Sequence, residues 1–393
     1  MAEALQLPSE PMPPDNLTSV APWQLASSSA LVTALMSVVG ATAPDLRGFL
    51  GVSTAALTLA FIGQMFGALL GARITRRERH RLLELCPLAL LAAAAVTAAA
   101  FAPTLPLLIA AMLVAGLGGM AVNATAQAET MQRAGPRRAR ALSQYHTWGG
   151  AGAAVFPLSV AVLLALGVPW RGAFVAVVVG YLAYAWVNRR RRVLPSPREP
   201  GEPPPRVPAR GRWAVAVAVI GGGLQLTFPL YFASLVVDRF DVSGAAGSAT
   251  IGVYSVGVLR ARAGGTALLP RLPVDGQLRL SCVVLLLGYA LLAVADSLAA
   301  TMAAAFLLGL GVGQLLPLGM ARSARWIGDD RHATGVVFTY NSVLQLATPG
   351  LVALLLQVTD LHAALVLTAP LALLVALAVW ESRPQLARAA ATT

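Results

Sequence analysis

"NRRRRVLPSPREPGEPPPRVPARGR", residues 188–212, is the one long polar stretch in the interior of this chain, with eight arginines and seven prolines. Proline removes a backbone donor and breaks helices, and so many like charges keep the stretch in water. On either side the sequence turns apolar. A helix needs about 20 mostly apolar residues to cross a bilayer, and six such segments precede the stretch while six follow it. The first six are Trp23 to Ala43, Phe49 to Ala72, Leu82 to Ala102, Leu105 to Ala128, Ala141 to Leu166 and Trp170 to Val187. The second six are Trp213 to Val237, Val242 to Leu259, Leu278 to Ala295, Leu298 to Met320, Ala333 to Val358 and Leu361 to Trp380. The eighth is the weakest, because Arg260 and Arg262 cut it short. The expected organisation is a tail (1–22), a six-helix bundle (23–187), a linker (188–212), a second six-helix bundle (213–381) and a short tail (382–393).

Composition agrees with an all-α integral membrane protein of 12 transmembrane helices. Of 393 residues 57% are hydrophobic and 12% charged, with a mean hydropathy of +0.71, whereas soluble chains are about 25% charged. The net charge of +12 does not indicate nucleic acid, because the basic residues lie in short segments between apolar runs and not on one face of a soluble fold. Every basic residue is arginine, which, with the alanine and leucine load, suggests a G+C-rich bacterial genome. Cys86 and Cys282 each sit just inside an apolar segment and read as small apolar residues, not as a disulfide or metal site. The proline-rich N-terminus carries acids but no basic residue, so it reads as a disordered tail and not as a signal peptide.

Arginine also sets orientation, since cytoplasmic loops retain basic residues. With the N-terminus inside, 26 of the 29 arginines fall on the inner side, leaving Arg47, Arg171 and Arg239 outside. Both termini are therefore expected in the cytoplasm, in a bacterial inner membrane. Arg260, Arg262 and Arg322 are counted here as inner-loop residues.

The halves resemble each other at an offset of about 190 residues. "GVSTAALTLAFIGQMFGALLGAR" (51–73) aligns with "DVSGAAGSATIGVYSVGVLRAR" (241–262), the glycines at 116–119 with those at 309–313, and Pro157 with Pro349. Internal repeats with a site at their interface mark secondary transporters.

On these features the chain resembles the major facilitator superfamily from Trp23 to Trp380. The segment "GALLGARITRRERHR" (67–81) is similar to that family's signature gating loop, matching at Gly67, Leu69, Arg73, Arg76 and Arg77. The signature's aspartate is absent, with Gly71 or Ala72 in its place, so the resemblance does not carry a charge-relay role here. Gly149, Gly150 and Gly152 precede a lone Pro157, where the family's drug-proton antiporters have a glycine-proline pair, so antiport is not signalled. "HTWGGAGAAVFPL" looks more like the fucose-permease-like branches, but the acid those carry in helix four is missing. The resemblance implies two pseudo-symmetric bundles that rock around a central cavity.

Polar groups within a spanning helix are costly unless they face a partner, the bundle interior or a wet cavity. Asn123, His146, Trp148, Gln225, Tyr231, Gln314, Tyr340, Asn341 and Gln345 are the substrate-path candidates on that basis; the alternative for the amides is hydrogen bonding between helices. Helix seven, with three glycines and Pro229, is expected to weaken or kink near its middle. His146 and Asp45 are the candidates for proton coupling, histidine because it titrates nearest neutrality; for Asp45 the competing reading is a solvated pair with Arg47. Glu129 reads as an i,i+4 partner of Arg133.

The partners expected are a small solute, protons and the lipid bilayer, with no cofactor, no nucleic acid and a functional monomer. Scarce buried charge favours a neutral or amphipathic organic solute. Efflux of a drug-like compound or secondary metabolite is the first reading and uptake of a sugar or similar nutrient the second. A membrane-embedded enzyme or sensor is the alternative of another class; no catalytic motif, paired carboxylates or metal-ligand cluster supports it.

Overall fold

The structure is a computed structural model that describes residues 22–77, 84–134, 138–189, 207–267, 272–328 and 330–382. The linker from 190 to 206, most of the loop carrying Arg79 and His80, and both tails lie outside the described residues. In a bilayer each backbone group must find its partner within the segment, which leaves the helix as the spanning form for apolar runs like these.

Among the described residues there are fifteen helices: α1 (Pro22–Ala41), α2 (Ala43–Leu50), α3 (Thr54–Arg77), α4 (Leu85–Ala100), α5 (Leu105–Ala134), α6 (Arg138–Ala165), α7 (Arg171–Asn188), α8 (Ala209–Phe240), α9 (Gly244–Ala267), α10 (Val274–Val294), α11 (Leu298–Val312), α12 (Leu315–Ile327), α13 (Asp330–Leu355), α14 (Leu361–Val366) and α15 (Ala369–Glu381). Helix α2 is a short cap between two spans, and α11 with α12, and α14 with α15, each make one span. Twelve spans result. Nine of them are long and apolar enough to cross a membrane by length and composition, and α4 is a shorter apolar helix. The more polar α9 and α13 still reach 24 and 26 residues.

One expectation needs correction. The eighth span does not stop at Leu259: α9 continues through Arg260 and Arg262 to Ala267. Intrahelical hydrogen bonds and packing against α6, α8 and α11 outweigh the local cost of two arginines. The seventh span is one continuous helix, α8, from Ala209 to Phe240 with Pro229 inside it. The tenth span is interrupted at Gly313 and Gln314, between α11 and α12.

The repeat is carried by close helix contacts. A β-carbon at Gly67 of α3 would overlap the Leu113 carbonyl of α5, and one at Gly257 of α9 would overlap the Phe306 carbonyl of α11. In the reverse direction Gly116 abuts the Gln64 carbonyl, as Gly309 abuts that of Tyr254. Glycine is needed at such crossings because any side chain would push the backbones apart. The correspondence extends to the chain turn that precedes α3 and α9, where Gly51 (φ 64) and Asp241 (φ 50) both take the left-handed conformation.

The bundles meet tightly at the end where α2 lies. The Arg47 guanidinium holds Asp238 at the end of α8 in a two-pronged ion pair, with Nη1 2.7 Å from Oδ2, and Nη1 also donates to Thr54 Oγ1 at 2.6 Å. The ion pair and its hydrogen bonds raise the Arg47 pKa. Arg47 therefore does not pair with Asp45, as the sequence suggested; Asp45, on the first turn of α2, faces Gly244 of α9. Half-burial raises the Asp45 pKa above the usual carboxylate value. Nearby, Ser248 donates to Ala41 O at 2.5 Å, and Gly40 lies against the Pro229 carbonyl.

Candidate functional site

The break in the tenth span is where the site begins. Breaking a helix frees backbone groups that need other partners, and at this break one of them, Gly313 O, finds its partner on α9. Gln314 Nε2 donates to Ala261 O at 2.6 Å, and Arg262 Nε donates to Gly313 O at 3.3 Å. The two spans thus exchange side chain for backbone across one contact.

Arg262 reaches further. Its Nη2 donates to Gln225 Oε1 of α8 at 3.1 Å, while Tyr254 Oη donates to Gln225 O at 2.9 Å. Its Nη1 lies 3.7 Å from the position a β-carbon would take at Gly150 of α6, in the other bundle. His146, one turn before Gly150, lies within electrostatic reach of the guanidinium, and its ring meets that of Tyr145 edge-on at 5.8 Å. Arg262 itself is half-buried. The second bundle thus presents a cation to the first, from a position assigned to an inner loop on sequence.

Asn123 and Tyr145 belong to the first bundle's own bonding. Tyr145 Oη contacts Ser28 Oγ at 2.7 Å and donates to Asn123 Oδ1 at 2.7 Å, tying α6 to α1 and α5. Tyr231 is fully buried; its hydroxyl donates to Pro349 O at 2.7 Å and contacts Thr58 Oγ1 at 2.9 Å, joining α8 to α13 and to α3 across the bundle boundary. Asn341 is buried, and its Oδ1, pressed onto Gly222 of α8, has no hydrogen-bond partner among the described residues. Gln345 is half-buried one turn further along α13.

Trp148 and Tyr340 fall elsewhere. Trp148 is 45% exposed and shares its stripe, at seven-residue spacing, with Val155 and Val162, exposed by 62% and 59%. Tyr340 is 59% exposed and lies in line with Leu351 and Leu354. The two aromatics occupy repeat-equivalent outer, apolar faces and do not gather with His146, because neighbouring helix positions are turned about 100° apart.

In the gating segment Gly67 is buried against α5 and Arg73 is exposed; Arg76 and Arg77 lie in the last turn of α3, and their side chains are outside the described set. The Glu129–Arg133 pair forms as the spacing predicts, with Nε 2.8 Å from Oε1. Arg322, also assigned to an inner loop, lies in α12 at 2% exposure, bonded to Asp275, Ser382 Oγ and Val379 O, and so links α12, α10 and the end of α15. Among the described residues no cluster of histidine, cysteine and acids could hold a metal.

Arg262 is absent from the sequence candidates, because hydropathy placed it beyond the end of its span. The repeat pairs Arg262 with Arg73, and both arginines lie inside their helices, α9 and α3.

A family model described as Major Facilitator Superfamily matches residues 25–304. No match was found among curated proteins. The fold is similar to solved transporters of low identity. The D-xylose-proton symporter aligns with a TM-score of 0.69 at 11% identity, covering 93% of this chain and 97% of that one. A mutant form of the nucleoside transporter NupG gives 0.70 at 13%, covering 92% and 100%. A bacterial homolog of the human lysosomal transporter Spinster, in an inward-facing and occupied conformation, gives 0.65 at 13%, covering 92% and 95%.

Proposed function

Because this chain belongs to the Major Facilitator Superfamily, we propose that it is a secondary transporter that moves a small amphipathic organic solute by alternating access, with export as the direction. The arginine-rich end, with both termini, faces the cytoplasm of a bacterial cell and the Arg47 end faces outward. In this arrangement the two bundles are closed at the outer end by Arg47–Asp238, Tyr231–Thr58 and Ser248–Ala41. The solute path runs between them past His146, Gln225 and Arg262. The observation that carries the reading is this last group, a set of polar side chains from both bundles meeting beside a broken span, the setting in which transporter sites are built.

His146 is the proposed proton-coupling side chain; the groups facing it are the Arg262 guanidinium from α9 and the Tyr145 ring on its own helix. Protein reconstituted in liposomes tests both points. Labelled amphipathic solutes are expected to cross faster under an imposed proton gradient, and His146→Ala is expected to lower the rate and flatten its pH dependence. A panel in which nothing crosses under either gradient direction, or in which a solute is chemically altered, overturns transport. A His146→Ala variant with the parent's rate and pH profile removes that residue from the mechanism.

A further inference from the structure

At the Arg47 end the seam between the bundles is not filled. A cavity of about 610 Å³ lies there, walled on the first bundle by Asp45 of α2 and by Leu164, Val168 and Trp170 where α6 turns into α7, and on the second bundle by Ser243 and Gly244 at the start of α9. Small organic ligands occupy cavities of about 300–1,000 Å³. We propose that this cavity is a binding site for an organic cation, an ammonium head on an apolar body, with the Asp45 carboxylate as its counter-ion. The site goes beyond the transport reading above, because it lies away from the path past His146 and Arg262. Leu164 on its wall is eighteen positions from His146 on α6, about 27 Å along the helix.

Asp45 is the only ionisable side chain described on the cavity wall. Its Oδ2 lies 2.8 Å from the position a β-carbon would take at Gly244, so the carboxylate points across the seam at a place that glycine leaves open. No described residue forms an ion pair with it. The arginines of this end are engaged elsewhere. Arg47 holds Asp238. Arg171 is held against the rings of Phe49 and Trp170, 4.6 and 4.5 Å from their centroids, and its Nε donates to Ala100 O at 3.2 Å. Arg239 lies over the ring of Phe240. The outer turns of α1, α3 and α9, which pack against α2, carry no ionisable side chain. Half-burial without a counter-charge raises the Asp45 pKa. A cation in the cavity would offset that cost, because an opposite charge within about 4–6 Å favours the ionised form.

Charge and wall chemistry select the class. Asp241, Asp296 and Asp360 lie in the loops of the same end, so aspartates outnumber arginines there by five to three, the reverse of the other end. The summed field of such a face draws cations toward it. An anion would meet the Asp45 carboxylate, and a neutral solute would leave that carboxylate to bear its desolvation unaided. A divalent metal ion needs about six or more oxygen ligands, whereas the side chains here offer one carboxylate and the Ser243 hydroxyl. Leu164, Val168 and Trp170 instead suit an alkyl or aryl body beside the charged head. A carboxylate beside the start of a helix also stabilises that helix, and the experiment separates this structural role from binding.

The experiment uses the purified full chain in detergent, with two probe pairs that share a shape and differ in charge: choline beside 3,3-dimethyl-1-butanol, and meta-hydroxyphenyltrimethylammonium beside meta-tert-butylphenol. A quaternary ammonium does not titrate, so any pH dependence of its binding belongs to the protein. The expected result is that the aryl cation raises the melting temperature and binds about tenfold or more tightly than its neutral partner. Its binding is full above the Asp45 pKa, where the carboxylate is ionised, and weakens as the pH falls through that pKa on the way from about pH 7 to about pH 4. Asp45→Asn is expected to abolish both the cation preference and this pH dependence, and Asp45→Glu to keep part of each. Equal binding of cation and neutral partner by the wild-type chain overturns the proposal, as does an absence of binding by both cations or a cation affinity that does not change with pH. These outcomes are read on wild-type protein, so they stand even if Asp45→Asn fails to fold. An Asp45→Asn variant that melts lower yet keeps the parent's cation preference also overturns it, and leaves Asp45 a purely structural partner of α9.

Discussion

Helices α3 and α9 are repeat-equivalent, yet they deliver their arginines to opposite environments. Gly67 and Gly257 fix the register, each pressed against a carbonyl of the neighbouring span, Leu113 and Phe306 respectively. Arg73 lies six residues after its glycine and Arg262 five after its own. One residue is about 100° of helix rotation. That turn leaves Arg73 exposed at the end of α3, whereas Arg262 swings into the gap between bundles and meets Gln225 and Gly313. The repeat thus keeps helix contacts and leaves side-chain direction to the individual position, so one bundle makes an exposed charge and the other a charge that reaches Gln225 and Gly313 from nearly the same residues.

The strongest challenge to this equivalence is aimed at the glycines. Gly67→Val and Gly257→Val are each expected to destabilise the protein by about 1–3 kcal/mol or more, because a branched side chain would have to displace a backbone carbonyl. Thermal melting in detergent should show drops of similar size, and a large drop in one variant alone would break the equivalence. The next test moves the charge without removing it. The double substitution Arg262→Ala with Ala263→Arg gives α9 the register of α3, and it is expected to keep net charge while losing the bonds to Gln225 and Gly313 and lowering the liposome transport rate. A retained rate would show that the position of the charge within the turn is immaterial. The smallest effect is expected for Arg73→Gln, within about 0.5 kcal/mol of the parent in stability, as for exposed sites without special contacts. A larger loss on melting would show that the exposed arginine bears on the fold.

Much of the fold was legible because it follows from solvent. Apolar runs of about 20 residues, separated by arginine-rich segments, dictate spans, and the glycine patterns at 116–119 and 309–313 marked crossings that the structure then used. Two kinds of error remained. Arg260, Arg262 and Arg322 read as loop because hydropathy alone ends a span at a charge; packing and hydrogen bonds to neutral or acidic partners carry α9 and α12 through them. Asp45 read as the partner of Arg47 because they are close in sequence, whereas the residue that Arg47 holds is 191 positions away. Trp148 and Tyr340 showed the same limit in another form, since an aromatic within a helix marks depth but not face.

By itself the amino-acid sequence determined the spans, the six-and-six division and the repeat, all of which express the cost of exposing backbone and charge to hydrocarbon. Tertiary structure decided which polar side chains meet. Arg262, Gln225 and the broken span at Gly313 come from three separate spans, and His146 and Gly150 from the other bundle, so their union depends on helix rotation and crossing, quantities that no linear pattern of hydropathy contains.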